Sequence, residues 1–178
     1  KRKKWYGILA SKEFNNLEIG ETLASSDGVL VGRSIEVNLA NLTNDPKSQN
    51  IKIKFKIKEV KGNEAYTEIY NYEMSSTYIR RVVKPGKGKI DDSILLTTKD
   101  DIKLRIKPLF LTKLLVKQSI LTNLRKKSRE YLQEYCKKND YSKLIQDLVN
   151  HHVQNDLKNL LKKVYPLSVA EIRLMQRL

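Results

Sequence analysis

Residues 51–58 read Ile-Lys-Ile-Lys-Phe-Lys-Ile-Lys, an unbroken alternation of apolar and cationic side chains. In a β-strand successive side chains point to opposite faces, so a strand sorts this pattern cleanly. Ile51, Ile53, Phe55 and Ile57 can enter a core while Lys52, Lys54, Lys56 and Lys58 form a charged row. Four like charges on one face repel each other, so the row is comfortable only in water or against a polyanion. The whole chain leans the same way, with 35 Lys and Arg against 20 Asp and Glu and a formal net charge of +15. Such an excess predicts attraction to nucleic acid or an anionic surface and says nothing of fold.

With 178 residues, 40% of them hydrophobic, the chain can build a real core as one domain or two small ones. No run approaches the length of a membrane span; the most apolar stretch, residues 109–116, is short and broken by Lys113. The lone Cys136 excludes an internal disulfide and fits a reducing compartment. The opening Lys1-Arg2-Lys3-Lys4 has no apolar run behind it and no Met, so the native chain is expected to begin earlier.

The first half reads as strands. Residues 28–32 lead into Ile35, Val37 and Leu39, which alternate with polar neighbours, and residues 41–50 are turn-forming around Asn44-Asp45-Pro46. After the lysine-faced strand, Lys61-Gly62-Asn63 looks like a hairpin turn into an antiparallel partner at 65–72. Ser75 or Ser76 can cap a short helix stopped by Pro85-Gly86, and residues 94–98 and 102–111 read as further strands. Beyond residue 112 the apolar period changes to that of helices, expected around 120–135, 144–149 and 157–164. Ser168-Val-Ala-Glu171 reads as a capping box opening a last helix through Ile172, Met175 and Leu178. The expected fold is α+β: a barrel-like, mostly antiparallel β body over 1–112, with a helical part over 113–178 packed on it as one composite unit.

Sites for chemistry are weakly indicated. His151 and His152 are adjacent, point apart on a helix and have no Cys or carboxylate at ligand spacing. Lys84-Pro-Gly-Lys-Gly-Lys89 lacks the spacing of a phosphate loop. Asp91-Asp92 and Asp100-Asp101 lie beside turns with no third acid placed to share a metal. No catalytic residue, cofactor or metal is therefore expected. The basic clusters carry the positive signal. Lys1, Arg2, Lys3 and Lys4 form an arm followed by Trp5 and Tyr6, which could stack on a base or anchor the arm in the core. Arg80 and Arg81 stand near Lys87 and Lys89, and Arg125, Lys126 and Arg129 lie on one helix, Arg125 and Arg129 a turn apart.

One stretch goes further. Gly32-Arg33-Ser-Ile-Glu36-Val37-Asn-Leu39-Ala40-Asn-Leu42-Thr-Asn-Asp45 resembles the Gly-Arg-x-x-Glu-Val-x-Leu-Ala-Asp-Leu-x-x-Asp signature of the archaeal and eukaryotic small-subunit ribosomal protein family called "eS-one". Lys4-Trp5-Tyr6, Thr97-Thr98-Lys-Asp100, Arg125-Lys126-Lys127 and Val164-Tyr165-Pro166-Leu167 match further family motifs in the same order. Asn41 departs from the usual Asp, and Leu114, Leu115 and Val116 make the approach to the basic helix more apolar than usual. The family extends beyond both ends of this chain. The resemblance implies a β-barrel-like body with attached helices and a non-enzymatic, cytoplasmic constituent of the small ribosomal subunit. Its implied place is the platform near the mRNA exit, against small-subunit rRNA and neighbouring platform proteins, with mRNA close by. No membrane and no homo-oligomer are implied.

The expected mechanism is phosphate neutralisation by Lys1, Arg2, Lys3, Lys4, Arg33, Arg80, Arg81, Lys87, Lys89, Arg125, Lys126 and Arg129, with Trp5 and Tyr6 stacking or anchoring. The rival is a free RNA-binding or ribosome-assembly factor using the same surface. Charge reversal at Arg125 and Arg129 is expected to weaken rRNA association and flatten its salt dependence with the fold intact; unchanged binding would remove that helix from the interface.

Overall fold

The computed structural model describes residues 2–178. It is an α+β structure of two compact units, residues 1–75 and 76–178. The division falls earlier than the change of apolar period at 112, because strands of the second unit precede its long helix.

The first unit contains β1 (Lys4–Leu9), β2 (Glu18–Ala24), β3 (Ser34–Asn38), a short helix α1 (Leu39–Thr43), β4 (Ile51–Lys61) and β5 (Glu64–Met74). Its strands run in the order β2-β1-β5-β4-β3, antiparallel except for the β1–β5 pair. The alternating segment is β4: Ile51, Ile53, Phe55 and Ile57 are all buried. Gly62 (φ +64) and Asn63 form the two-residue loop into β5, the positive φ suiting a primed hairpin turn. The inner face encloses Tyr6, Ile8, Ala24, Leu30, Ile57 and Ala65.

The backbone ladder stays open between β2 and β3, but side chains draw these edges together. A Cβ on Gly20 of β2 would lie 3.3 Å from Ile35 Cδ1 of β3. Arg33, just before β3, donates from Nη1 to Thr22 Oγ1 (3.0 Å) and to the Leu23 carbonyl (3.2 Å). The sheet is thus curled, with an arginine as its clasp. Two strand expectations give way. Residues 27–29 form a helical turn that sends Leu30 into the core. Leu39 starts α1 instead of ending a strand, because the Asn38 side chain accepts from Ala40 N–H and caps a helix there.

The second unit contains α2 (Ser76–Val82), β6 (Lys89–Asp91), β7 (Ile94–Thr97), β8 (Lys103–Thr112), α3 (Gln118–Lys138), α4 (Tyr141–Val149), α5 (His152–Lys162) and β9 (Leu167–Arg177). β8 is central, antiparallel to β6 and β7 along one edge and to β9 along the other. The helix α3 buries Leu124, Ser128, Leu132 and Cys136, a stripe repeating every four residues.

The expected last helix is overturned, since residues 167–177 are a strand. Its register against β8 breaks between Lys107 and Pro108 and between Leu111 and Thr112. These irregularities leave Arg173 and Ser168 as extra residues on β9. The buried positions become Leu167, Ala170, Ile172 and Met175, spaced three, two and three apart. Bulges therefore give a strand the apolar spacing of a helical stripe. Ser168 caps nothing; its hydroxyl donates to the Leu111 and Thr112 carbonyls.

On β9, the Glu171 carboxyl has a buried Oε2 without a hydrogen-bond partner. Burial raises its pKa from 4.5 to about 7, against a partial opposing pull from Lys158. Both states are protonated below pH 4.5, so the penalty is absent there; it grows as pH rises and is complete above about 7. At roughly 1.4 kcal/mol per pKa unit, Glu171→Gln is expected to stabilise the protein by about 3 kcal/mol at pH 8 and by almost nothing at pH 4. Urea unfolding at the two pH values checks this; a pH-independent difference would show that Glu171 does not titrate as described.

Candidate nucleic-acid interface

The row Lys52, Lys54, Lys56 and Lys58 is the obvious polyanion surface, yet the fold supplies its own counter-charges. Lys52 lies between Glu36 on β3, with Nζ 2.7 Å from Oε1, and the opposite Glu73 on β5. That pairing lowers the Glu36 pKa and raises that of Lys52. Lys56 is opposite Glu68 and sits 5.6 Å from the Tyr70 ring centroid. Opposite-charge cross-strand pairs contribute about 0.2–1 kcal/mol each, so this face of the sheet favours folding as well as presenting charge.

The predicted cations divide by what the fold does with them. Arg2, Lys3 and Lys4 open the chain into β1 and are exposed; Lys1 lies outside the described residues. Strand alternation splits the aromatic pair. Trp5 is 63% exposed, whereas Tyr6 is 4% exposed and donates its hydroxyl to Asp27 Oδ1 at 2.7 Å. That bond and burial raise the Tyr6 pKa. Tyr6 is the anchor and Trp5 the surface member. Arg33 is engaged as the clasp of the first sheet.

In the second unit, Arg80 and Arg81 are exposed on the last turn of α2, with the Arg81 guanidinium 5.7 Å from the Tyr78 ring centroid. The following loop is pinned at Gly88. Its N–H donates to Thr112 Oγ1 (2.8 Å), and its carbonyl accepts from Thr112 N–H (2.9 Å). A Cβ there would meet Thr112 Oγ1 at 2.8 Å, so the loop needs glycine. Lys87, half-buried, and Lys89, exposed, therefore flank a fixed point. Lys89 Nζ lies 3.4 Å from Asp91, which also meets Arg173 at 3.2 Å.

On α3, Lys126 is exposed, but its arginine neighbours are partly enlisted by the fold. Arg129 makes a two-pronged contact to Asp92, Nε to Oδ2 at 2.6 Å and Nη2 to Oδ1 at 2.7 Å. Asp92 is nearly buried, and this contact holds its carboxyl below the ordinary range, with Arg125 adding to the effect. Arg125 is half-buried and its Nε is enclosed without a partner. Asp91 and Asp92 thus tie basic elements together. Nothing in the sequence reveals these ties, because they join residues 37 and 82 positions apart in the chain. Leu23, exposed and directly opposite Trp5, also escapes sequence reasoning, since β2 has no clear alternation.

Burial pushes the Cys136 thiol up to about 12, away from nucleophilic reactivity. Tyr131 and Tyr135 stack on one side of α3, their hydroxyls donating to Asp156 and Asp147. Among the described residues no group of three or more His, Cys, Asp or Glu could hold a metal ion.

These features define a strongly basic α+β protein that presents cations from rigid strands, helix ends and one pinned loop. The chain belongs to the Ribosomal S3Ae family, which it matches over residues 1–178. Small ribosomal subunit protein eS1 of Methanothrix thermoacetophila is 38% identical over 173 residues, covering 97% of this chain and 82% of that protein. The protein of the same name from Nanoarchaeum equitans is 36% identical, over 97% and 87%. That from Archaeoglobus fulgidus is 33% identical, over 99% and 84%. The resemblance carried by the Gly32–Asp45 signature and its companion motifs is thus borne out.

Because Arg129 satisfies a nearly buried carboxylate, charge reversal there also perturbs the fold. Arg129→Ala is expected to cost about 1–2 kcal/mol at pH 7, as for a partly exposed charged hydrogen bond. The depressed Asp92 pKa means this stabilisation is present above the ordinary carboxylate pKa and lost as pH falls through the lower, folded value. Urea unfolding should show the deficit at pH 7 and a much smaller one near pH 2; equal deficits would mean the ion pair contributes nothing.

Proposed function

We propose that this chain is a structural, non-enzymatic constituent of the small ribosomal subunit in the cytoplasm, holding rRNA by its phosphate backbone. The observation that carries this reading is a set of exposed cations outside the internal ion pairs in a member of the Ribosomal S3Ae family: Lys4, Arg80 and Lys126 on folded elements, and Arg2 and Lys3 just before β1. Arg81, Lys87 and Arg125 add half-engaged charge beside them. Each cation that neutralises a phosphate releases condensed counterions, so affinity comes from charge number and spacing rather than base sequence. Arg33, Lys89 and Arg129 act mainly by holding that spacing, through Thr22, Asp91 and Asp92. The platform near the mRNA exit, beside other platform proteins, is the location this reading assigns, with the chain as a single copy per subunit.

The test is the protein's position in a sucrose gradient of cell lysate before and after a high-salt wash. Stoichiometric sedimentation with small subunits that survives the wash is the expected result. Sedimentation with precursor particles alone, or release at moderate salt, would overturn it in favour of an assembly factor. In purified form, Lys126→Glu together with Arg80→Glu should weaken RNA binding and reduce the slope of log affinity against log salt by up to about two. An unchanged slope would remove both residues from the interface.

A further inference from the structure

Trp5 is the chain's only tryptophan and keeps 63% of its surface exposed. It stands directly opposite Leu23 across the β1–β2 ladder, and Leu23 is itself 37% exposed. Alternation explains the arrangement: Tyr6 and Ala24, next in line on the two strands, are buried, so Trp5 and Leu23 project outward together. The indole is held on paired backbone, with its strand anchored by the Tyr6–Asp27 hydrogen bond. Cations flank it on its N-terminal side. Arg2, Lys3 and Lys4 precede it, and the Arg33 guanidinium is fixed 3.2 Å from the Leu23 carbonyl. On the other side the nearby charges are acidic: Glu21 and Glu64 stand opposite Gly7, and a Cβ on Gly7 would lie 3.3 Å from Glu18 Oε1.

An exposed apolar pair of two residues is far below the roughly 800 Å² per partner of a stable protein interface. It does match the face of one nucleobase, and the flanking charge selects a polyanion. In duplex RNA the base faces are stacked and unreachable, whereas an unpaired nucleotide presents them. We propose that the Trp5–Leu23 pair is a stacking shelf for an unpaired RNA base, with Arg2 and Lys3 on the adjoining phosphates. This rests on the rRNA-binding reading and adds to it the kind of RNA that reaches β1: a single-stranded or bulged segment.

Because Trp5 is the sole tryptophan, its fluorescence reports the contact directly. The full chain is titrated with a single-stranded oligouridylate and with an RNA duplex of equal length. The single strand is expected to quench Trp5, and the duplex to bind with little quenching. Trp5→Ala should lose at least about fivefold in affinity for the single strand with its salt slope unchanged, while Trp5→Phe keeps most of it. Circular dichroism confirms that both variants are folded, as expected for an exposed side chain. Salt-dependent binding with unquenched Trp5, or unchanged affinity in Trp5→Ala, would overturn the shelf while leaving the phosphate-binding reading in place. No salt-dependent binding to either RNA would overturn both.

Discussion

The ladder between β4 and β5 is the constraint from which the first unit follows. Ten residues of each eleven-residue strand pair across a two-residue turn, with apolar side chains on the inner face at nearly every register. On the outer face Lys52 meets Glu73, Lys56 meets Glu68 and Lys61 meets Glu64. A one-residue slip would put lysines into the core and break these pairs together, so burial and electrostatics select the same register. The lysine row that looks built for a polyanion is thereby also an internal structural element. Exposed cations without such cross-strand partners stand at the start of β1, at the end of α2 and on α3.

Cations in this protein serve two kinds of role. Some are clasps: Arg33 draws together the edges of the curled sheet, Arg129 satisfies Asp92, and Arg173 with Lys89 brackets Asp91. Others stand exposed, among them Arg80 on α2 and Lys126 on α3. For backbone recognition this division matters, because phosphate spacing is fixed and a cation on a floating segment must lose conformational freedom to match it. Asp27, Asp91 and Asp92 tie separate elements together, whereas Glu171 is a carboxyl buried on β9 without a hydrogen-bond partner for one oxygen.

Legibility in the sequence tracked how local the causes were. The β4–β5 hairpin, α2, β7, β8 and the three long helices were readable because period, turn residues and length agree within each segment. β2 was not, since its residues Glu-Ile-Gly-Glu-Thr-Leu-Ala carry little apolar contrast and its outer face keeps Leu23 exposed. β9 was misread because its bulges against β8 replace a period of two with spacings of three, two and three. The basic clusters around residues 2–5, 80–89 and 125–129 were visible as runs of charge. Which members were already paired was not visible, because Asp92 and Asp27 are distant in sequence from the residues they bind.

By itself the sequence determined the α+β class, the register-setting strand, the excess of positive charge and the family motifs. All of these depend on residue type and short spacing. Only the tertiary structure decided which of Trp5 and Tyr6 faces solvent, that Arg33 and Arg129 close contacts inside the fold, and that the C-terminal segment joins β8 as a strand. Those outcomes turn on competition between a side chain's local preferences and partners brought from far along the chain. When a distant carboxylate or an open strand edge is available, its pairing energy outweighs what the local pattern favours.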